Sequence, residues 1–226
     1  MKLLDLFCGA GGAAVGYHRA GFTEIIGVDI KPQPRYPFQF VQADALNFCG
    51  SFGVGFDVIH ASPPCQAYSC NRYRPNARTD HPDYYEATRA LLQRMNRAYV
   101  IENVPGAPSR NALQLCGTGF GLSALAYDGL RELRRHRWFE VFPFVLGQPC
   151  NHRNATIGIY GDHARDRRRR GPNGKGLDFP DADKLRLARE AMGIDWMDWS
   201  ELSQAIPPAY TEYIGKQLLT ALSSVS

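Results

Sequence analysis

Cys65 stands in the stretch ASPPCQAYSC, residues 61–70, directly after Pro63 and Pro64. Two prolines fix the local backbone and so aim the thiol before its side chain selects a rotamer. A small buried hydrophobe needs no such setting, whereas a thiolate that must meet its target at a fixed angle does. A free thiol with a pKa of ~8.5 is only a few per cent thiolate at neutral pH, so such a nucleophile needs help from its surroundings. Glu102, in VIENVPG, ends an apolar run. Burial there raises a carboxyl pKa and suits it to proton donation; the alternative is a solvent-facing acid at a strand end. Arg135 and Arg137, in RRHRWFE, are two residues apart on an expected strand and therefore on one face. Such a pair suits a carboxylate, a phosphate or a pyrimidine carbonyl, or forms a surface ion-pair stripe.

A second constellation lies earlier in the chain. In DLFCGAGGAAVG, Gly9, Gly11 and Gly12 fall at an expected strand-to-helix turn, where the backbone approaches a ligand closely beside a helix N-terminus. Asp29, about 20 residues further on, suits a ribose diol, and Asp44 suits an adenine amino group. An adenosine-bearing cofactor is expected; a tight turn without a ligand is the alternative. The run ARDRRRRGPNGKG, residues 164–176, sets six basic residues beside one acid, either as a solvated loop or as a phosphate contact. Cys150 and His152 form one Cys-x-His pair. Lacking a second pair of ligands, it is read as structural or accidental, and no metal is expected.

The elements that must position these groups follow from periodicity. Residues 2–7, 24–30, 38–44, 56–65 and 97–105 read as strands, with helices following the glycines and over 83–96. That alternation predicts an α/β doubly wound sheet, whose ligands sit outside the carboxyl ends of its strands. Asp29, Asp44, Cys65 and Glu102 all fall at those ends. RELRRHRWFEVFPFVL reads as a strand that begins basic and turns apolar. Residues 147–182 show little periodicity, and two helices close the chain, the second with proline in its first turn.

The 226 residues, 44% hydrophobic and 21% charged, fit one soluble domain with a real core, with or without a small appended lobe. No stretch reads as a transmembrane span or signal peptide, and the six cysteines have no framework spacing, so reduced thiols and a cytoplasmic location are expected.

Taken in order, these motifs resemble the C5 cytosine DNA methyltransferases. DLFCGAGG looks like the family's cofactor loop, GVDI and QADAL like its adenosine-binding acids, SPPCQ like its nucleophile motif and ENV like its acid motif. RRHR is similar to its arginine pair, and LSQAIPPAYTEYIGKQLL to its closing motif, with LAREAMGI a fainter echo of the motif before it. Two departures are visible: Leu133 where the family usually has glutamine, and Gln204 where it often has asparagine. The resemblance implies a Rossmann-like S-adenosylmethionine-dependent methyltransferase sheet with a small irregular target-recognition insertion. Its expected division is 1–140 for catalysis and cofactor, 141–183 for recognition and 184–226 for the closing helices. The short recognition segment is similar to that of phage-encoded or orphan members, in a bacterial or phage-infected cell.

The resemblance also implies roles. Cys65 adds to C6 of a cytosine flipped out of double-stranded DNA, Glu102 protonates N3, and Arg137 with Arg135 steadies O2. The cofactor S-adenosyl-L-methionine is expected against Asp5, Phe7, Gly9, Gly11, Gly12, Asp29, Ile30, Asp44, Ala45, Pro63, Gln204 and Ala205. DNA is expected against Gln66, Ser69, Arg72, Arg74 and Arg78 on one loop, and against Asn151, Arg153, Asn154, Arg167, Arg168, Arg169 and Arg170 on the basic segment. A monomer is expected. Rival readings are a transfer-RNA cytosine-5 methyltransferase, an enzyme with a modified cofactor or a folate, and a DNA-binding relative without catalysis.

Overall fold

The computed structural model describes residues 1–65, 68, 83–161, 163–170 and 176–224, and for residues 163, 166–170, 176 and 177 the backbone alone. Apolar runs flanked by glycine and acid form five parallel strands: β1 (Lys2–Leu6), β2 (Glu24–Asp29), β3 (Gln39–Gln42), β4 (Val58–Ala61) and β5 (Ala98–Asn103). Two further strands, β6 (Leu113–Leu115) and β9 (Arg137–Phe142), complete a seven-stranded sheet in the order β3-β2-β1-β4-β5-β9-β6. The order reverses at β1, so the carboxyl ends of β1 and β4 border the crevice where doubly wound sheets bind ligands.

Helix α1 (Gly12–Ala20) packs on one face of this sheet with the closing helix α6 (Pro208–Ser223). Their approach needs small residues. A Cβ on Gly16 would come within 2.0 Å of Thr211 Oγ1 and 2.1 Å of the Pro208 carbonyl. The other face carries α2 (Ala45–Phe52) and α3 (Tyr84–Met95), packed on Leu4, Leu6, Ile59 and Ile101. From α3, buried Arg89 reaches across to Glu140 of β9 in a 2.8 Å ion pair.

A second sheet, not foreseen in the sequence, has the order β12-β11-β10-β8-β7. Its strands are β7 (Ser123–Ala126), β8 (Gly129–Leu133), β10 (Thr156–Tyr160), β11 (His163–Arg170) and β12 (Gly176–Asp178), covered by α4 (Asp181–Met192). Residues 147–182 were expected to lack regular structure; three of these strands lie within them. Residues 134–136 form the link from β8 into β9, so one continuous segment joins the two sheets. That link also corrects the expectation that Arg135 and Arg137 share a strand face: Arg137 opens β9, while Arg135 lies in the link. A short helix, α5 (Trp199–Leu202), is held by a capping box between Asp198 and Glu201. No described helix is long and apolar enough to cross a membrane.

Candidate active site

Cys65 follows β4 and is partly exposed. Its PPC backbone is tied down from the neighbouring strand: the Asn103 side-chain amide donates to the Pro63 carbonyl at 3.0 Å, and the Val104 N–H donates to Asn103 Oδ1 at 2.9 Å. Asn103 was quoted within ENV but given no role by the sequence. A strand-end asparagine thus satisfies the Pro63 carbonyl, in a stretch whose two prolines have no N–H with which to pair.

Glu102, at the end of β5, is buried and accepts from Arg137 Nε at 2.9 Å. The antiparallel register puts Trp138 opposite Asn103, so Arg137 arrives at the carboxyl edge of β5 beside the acid. Burial raises the Glu102 carboxyl above its ordinary value, against the lowering effects of Arg137, Arg135 and a hydrogen bond from Ser62. The Cys65 thiol is likewise raised by burial; Arg137 lowers it and Glu102 raises it further. Thiol, carboxyl and guanidinium thus form one electrostatic unit.

Behind Ser62 runs a buried chain of polar groups that sequence reasoning missed. Tyr17 OH lies 3.0 Å from His60 Nδ1, and His60 Nε2 lies 2.9 Å from Ser62 Oγ. Burial lowers His60 to about 3, so the ring is neutral. One assignment satisfies every member: Tyr17 donates to Nδ1, Nε2–H donates to Ser62, and Ser62 donates to Glu102. His60 sits mid-strand in β4, 43 residues from Tyr17, and no local spacing announces the pair.

The glycine-rich turn after β1 follows the expected course. Phe7, Gly9 and Gly11 all have positive φ, at 56°, 48° and 84°, and Phe7 alone of these carries a side chain in that conformation. A Cβ on Gly9 would meet nothing within 4 Å, so the loop borders open space, whereas one on Gly12 would lie 2.5 Å from the Ile206 carbonyl. Asp29 Oδ2 accepts the Gly9 N–H at 3.1 Å and Oδ1 the Lys31 N–H at 3.0 Å. Asp44 caps α2 by accepting the Asn47 N–H through Oδ1 at 2.8 Å. Each carboxylate retains lone pairs for a ligand. Ile30, 66% exposed, lies next to Asp29 as an apolar surface, and Ala45 is buried. An open glycine loop, two strand-end acids and an apolar surface fit an adenosine-bearing group. Asp5 differs: it is buried within β1, accepts from Tyr36 OH at 3.2 Å, and has its carboxyl raised by burial.

The closing segment meets this loop. Arg135, fully buried, donates from Nη2 to the Ser203 and Ala205 carbonyls at 2.8 and 2.9 Å, and from Nη1 to the Ile159 carbonyl at 2.5 Å. It therefore fastens the link to β10 and to the closing segment. Gln204 is exposed and donates to the Ser200 carbonyl at 3.1 Å.

Of the expected DNA contacts, Gln66, Ser69, Arg72, Arg74 and Arg78 lie outside the described residues. Arg167–Arg170 lie on the backbone of β11. Asn151, Arg153 and Asn154 are exposed on the loop before β10, where Asn154 donates to Glu132 at 2.9 Å. Beside them, the Cys-x-His pair gains the partners that it lacked in sequence: the ligand atoms of Cys116, His136, Cys150 and His152 all lie within 4.8 Å of one another.

Residues 1–115 match the family model for C-5 cytosine-specific DNA methylase. The chain is 29% identical over 121 residues to the Type II methyltransferase M.AgeI of Thalassovita gelatinovora, covering 47% of this chain and 28% of that protein. It is 30% identical over 164 residues to the DNA (cytosine-5-)-methyltransferase M.ApeKI of Aeropyrum pernix, covering 58% and 35%. The matched part thus spans about a third of these relatives. Among solved structures, a prophage-encoded E. coli protein described as a DNA modification methyltransferase aligns over 99% of both chains at TM-score 0.60 and 15% identity. The S. pombe Dnmt2 methyltransferase covers 98% of this chain and 99% of its own at TM-score 0.61 and 14% identity. Both likenesses are of fold.

Proposed function

Because this chain belongs to the family of C-5 cytosine-specific DNA methylases, we propose that it methylates C5 of cytosine in double-stranded DNA, using S-adenosylmethionine. It acts as a monomer at a short recognition site, in the cytoplasm of a bacterial or phage-infected cell. The observation that carries this reading is the unit of Cys65, Glu102 and Arg137 at adjoining strand ends, next to an open glycine loop with two acids.

Cytosine C5 is a weak nucleophile. The Cys65 thiolate adds to C6, the ring's electrons shift toward C5, and Glu102 transfers its proton to N3 as negative charge develops. When bound, the cofactor would supply a methyl group on its sulfonium sulfur; as C5 takes the methyl, the sulfur–carbon bond would break and the sulfur would leave as a neutral thioether. A base then removes the C5 proton, the C5–C6 double bond re-forms, Cys65 leaves as thiolate, and the N3 proton returns to Glu102. Arg137 holds the Glu102 carboxylate, and Arg135 holds the link that carries it; Arg137 is assigned to steady the ring's O2. Asp29 and Asp44 hold the adenosine, with Asp5 supporting the strand beneath. Ring faces are covered by stacking in a duplex, so the target base must be flipped out. The second sheet, with residues 151–154 and the arginines of β11, is the recognition element.

Nucleoside mass spectrometry tests the reaction. Unmethylated duplex DNA incubated with the protein and S-adenosylmethionine should gain 5-methylcytosine, and Cys65→Ser should yield none. Methylation of transfer RNA with none in DNA would overturn the substrate, and product from Cys65→Ser would remove the nucleophile.

A further inference from the structure

We propose that Cys116, His136, Cys150 and His152 bind a structural zinc ion at the joint between the two sheets. The four residues come from three separate segments: Cys116 just after β6, His136 in the link between β8 and β9, and Cys150 with His152 on the loop before β10. Their donor atoms converge. Cys116 Sγ lies 3.4 Å from His152 Nε2, His136 Nε2 lies 3.2 Å from His152 Nε2, and Cys150 Sγ lies 3.8 Å from His136 Nε2.

These three separations match the edges of a tetrahedral site, and the other three pairs of donor atoms lie within 4.8 Å, so a small inward movement closes the site on an ion. With zinc bonds of about 2.3 Å to sulfur and about 2.05 Å to nitrogen, tetrahedral edges come to about 3.4 Å between nitrogens and about 3.6 Å between nitrogen and sulfur. A hydrogen bond between two Nε2 atoms uses one proton, whereas a divalent cation takes a lone pair from every donor in the cluster. Two thiolates and two imidazoles select zinc over the oxygen-preferring magnesium and calcium. Four protein ligands close the coordination sphere, which makes the site structural. An outer layer is also present: Thr118 Oγ1 donates to Cys116 Sγ at 3.4 Å and accepts the Asn151 N–H at 3.3 Å.

The place in the fold gives the ion its role. His136 stands between Arg135 and Arg137, and His152 stands between Asn151 and Arg153. The ion therefore fastens the loop offered to DNA onto the segment that carries the arginine pair.

The test uses the full chain, purified under reducing conditions and assayed for metal by mass spectrometry. One equivalent of zinc is expected, and replacement by cobalt(II) should give the visible ligand-field bands of a tetrahedral thiolate complex. Cys150→Ser and His152→Ala should lose most of the zinc, while His152→Cys, which restores a fourth donor, should retain it. Folded wild-type protein that binds neither zinc nor cobalt, or that carries a Cys116–Cys150 disulfide when isolated, would overturn the proposal. So would full zinc content in both single-ligand variants. If the variants fail to fold, the wild-type cobalt spectrum decides. Zinc content is read without methyl transfer, so its failure is distinct from failure of the proposed reaction.

Discussion

Arg137 serves two neighbours that burial pushes in the same direction. Its charge holds down both the Cys65 thiol and the Glu102 carboxyl, each of which desolvation raises. The free thiol should therefore titrate above the ordinary cysteine range, and reactivity should rise with pH as thiolate forms. Arg137→Gln removes the lowering charge, so the thiol moves further up and less thiolate is present at any fixed pH. Alkylation of Cys65 by iodoacetamide, followed by peptide mass spectrometry across pH, should be slower in this variant with a midpoint at higher pH. An unchanged profile would separate the guanidinium from the thiol. Cys65, Glu102 and Arg137 were each legible from residue type and neighbours. Tyr17, His60 and Asn103 were not, since their work depends on contacts with groups far away in sequence, 43 residues in the case of Tyr17 with His60 and 40 for Asn103 with Pro63.

At the scale of elements, the pairing of α1 with α6 sets the position of the glycine loop. Gly16→Ala introduces a methyl where Thr211 and the Pro208 carbonyl already stand, closer than real Cβ contacts allow. The helices must separate, at a cost of roughly 1–3 kcal/mol. Urea unfolding should show that loss, with weaker cofactor binding; unchanged stability would contradict the packing. The parallel strands and these two helices were readable because apolar runs alternated with 3.6-residue patterns. Helix α2 escaped because its start lies inside the QADAL motif, where Asp44 was read as a ligand before it was read as a cap. Strand β11 escaped because its sequence, HARDRRRR, lacks the apolar alternation of a half-buried strand. Its pairing with β10 and β12 is supplied by backbone hydrogen bonds, which leave no mark on composition.

For the whole molecule, the proposed function divides the labour between the two sheets, assigning chemistry to the carboxyl edge of the first and DNA contact to the second. Each arginine of β11 that neutralises a phosphate adds about 0.9 to the slope of log affinity against log salt. Changing Arg167, Arg168, Arg169 and Arg170 together to alanine should weaken duplex binding and flatten that slope. An equal slope, measured by fluorescence anisotropy over a salt series, would return this strand to the solvent. The joint between the sheets was invisible in sequence because Cys116, His136 and the Cys150–His152 pair are widely separated along the chain. The central claim is that Cys65 bonds to the target base. Fluorine at C5 of the target cytosine blocks the final proton removal, so a duplex carrying it should remain attached to the enzyme after methyl transfer. Mass spectrometry of the digested complex should find the adduct on Cys65. An adduct on another residue, or turnover of natural DNA with no adduct on the fluorinated one, would contradict the account.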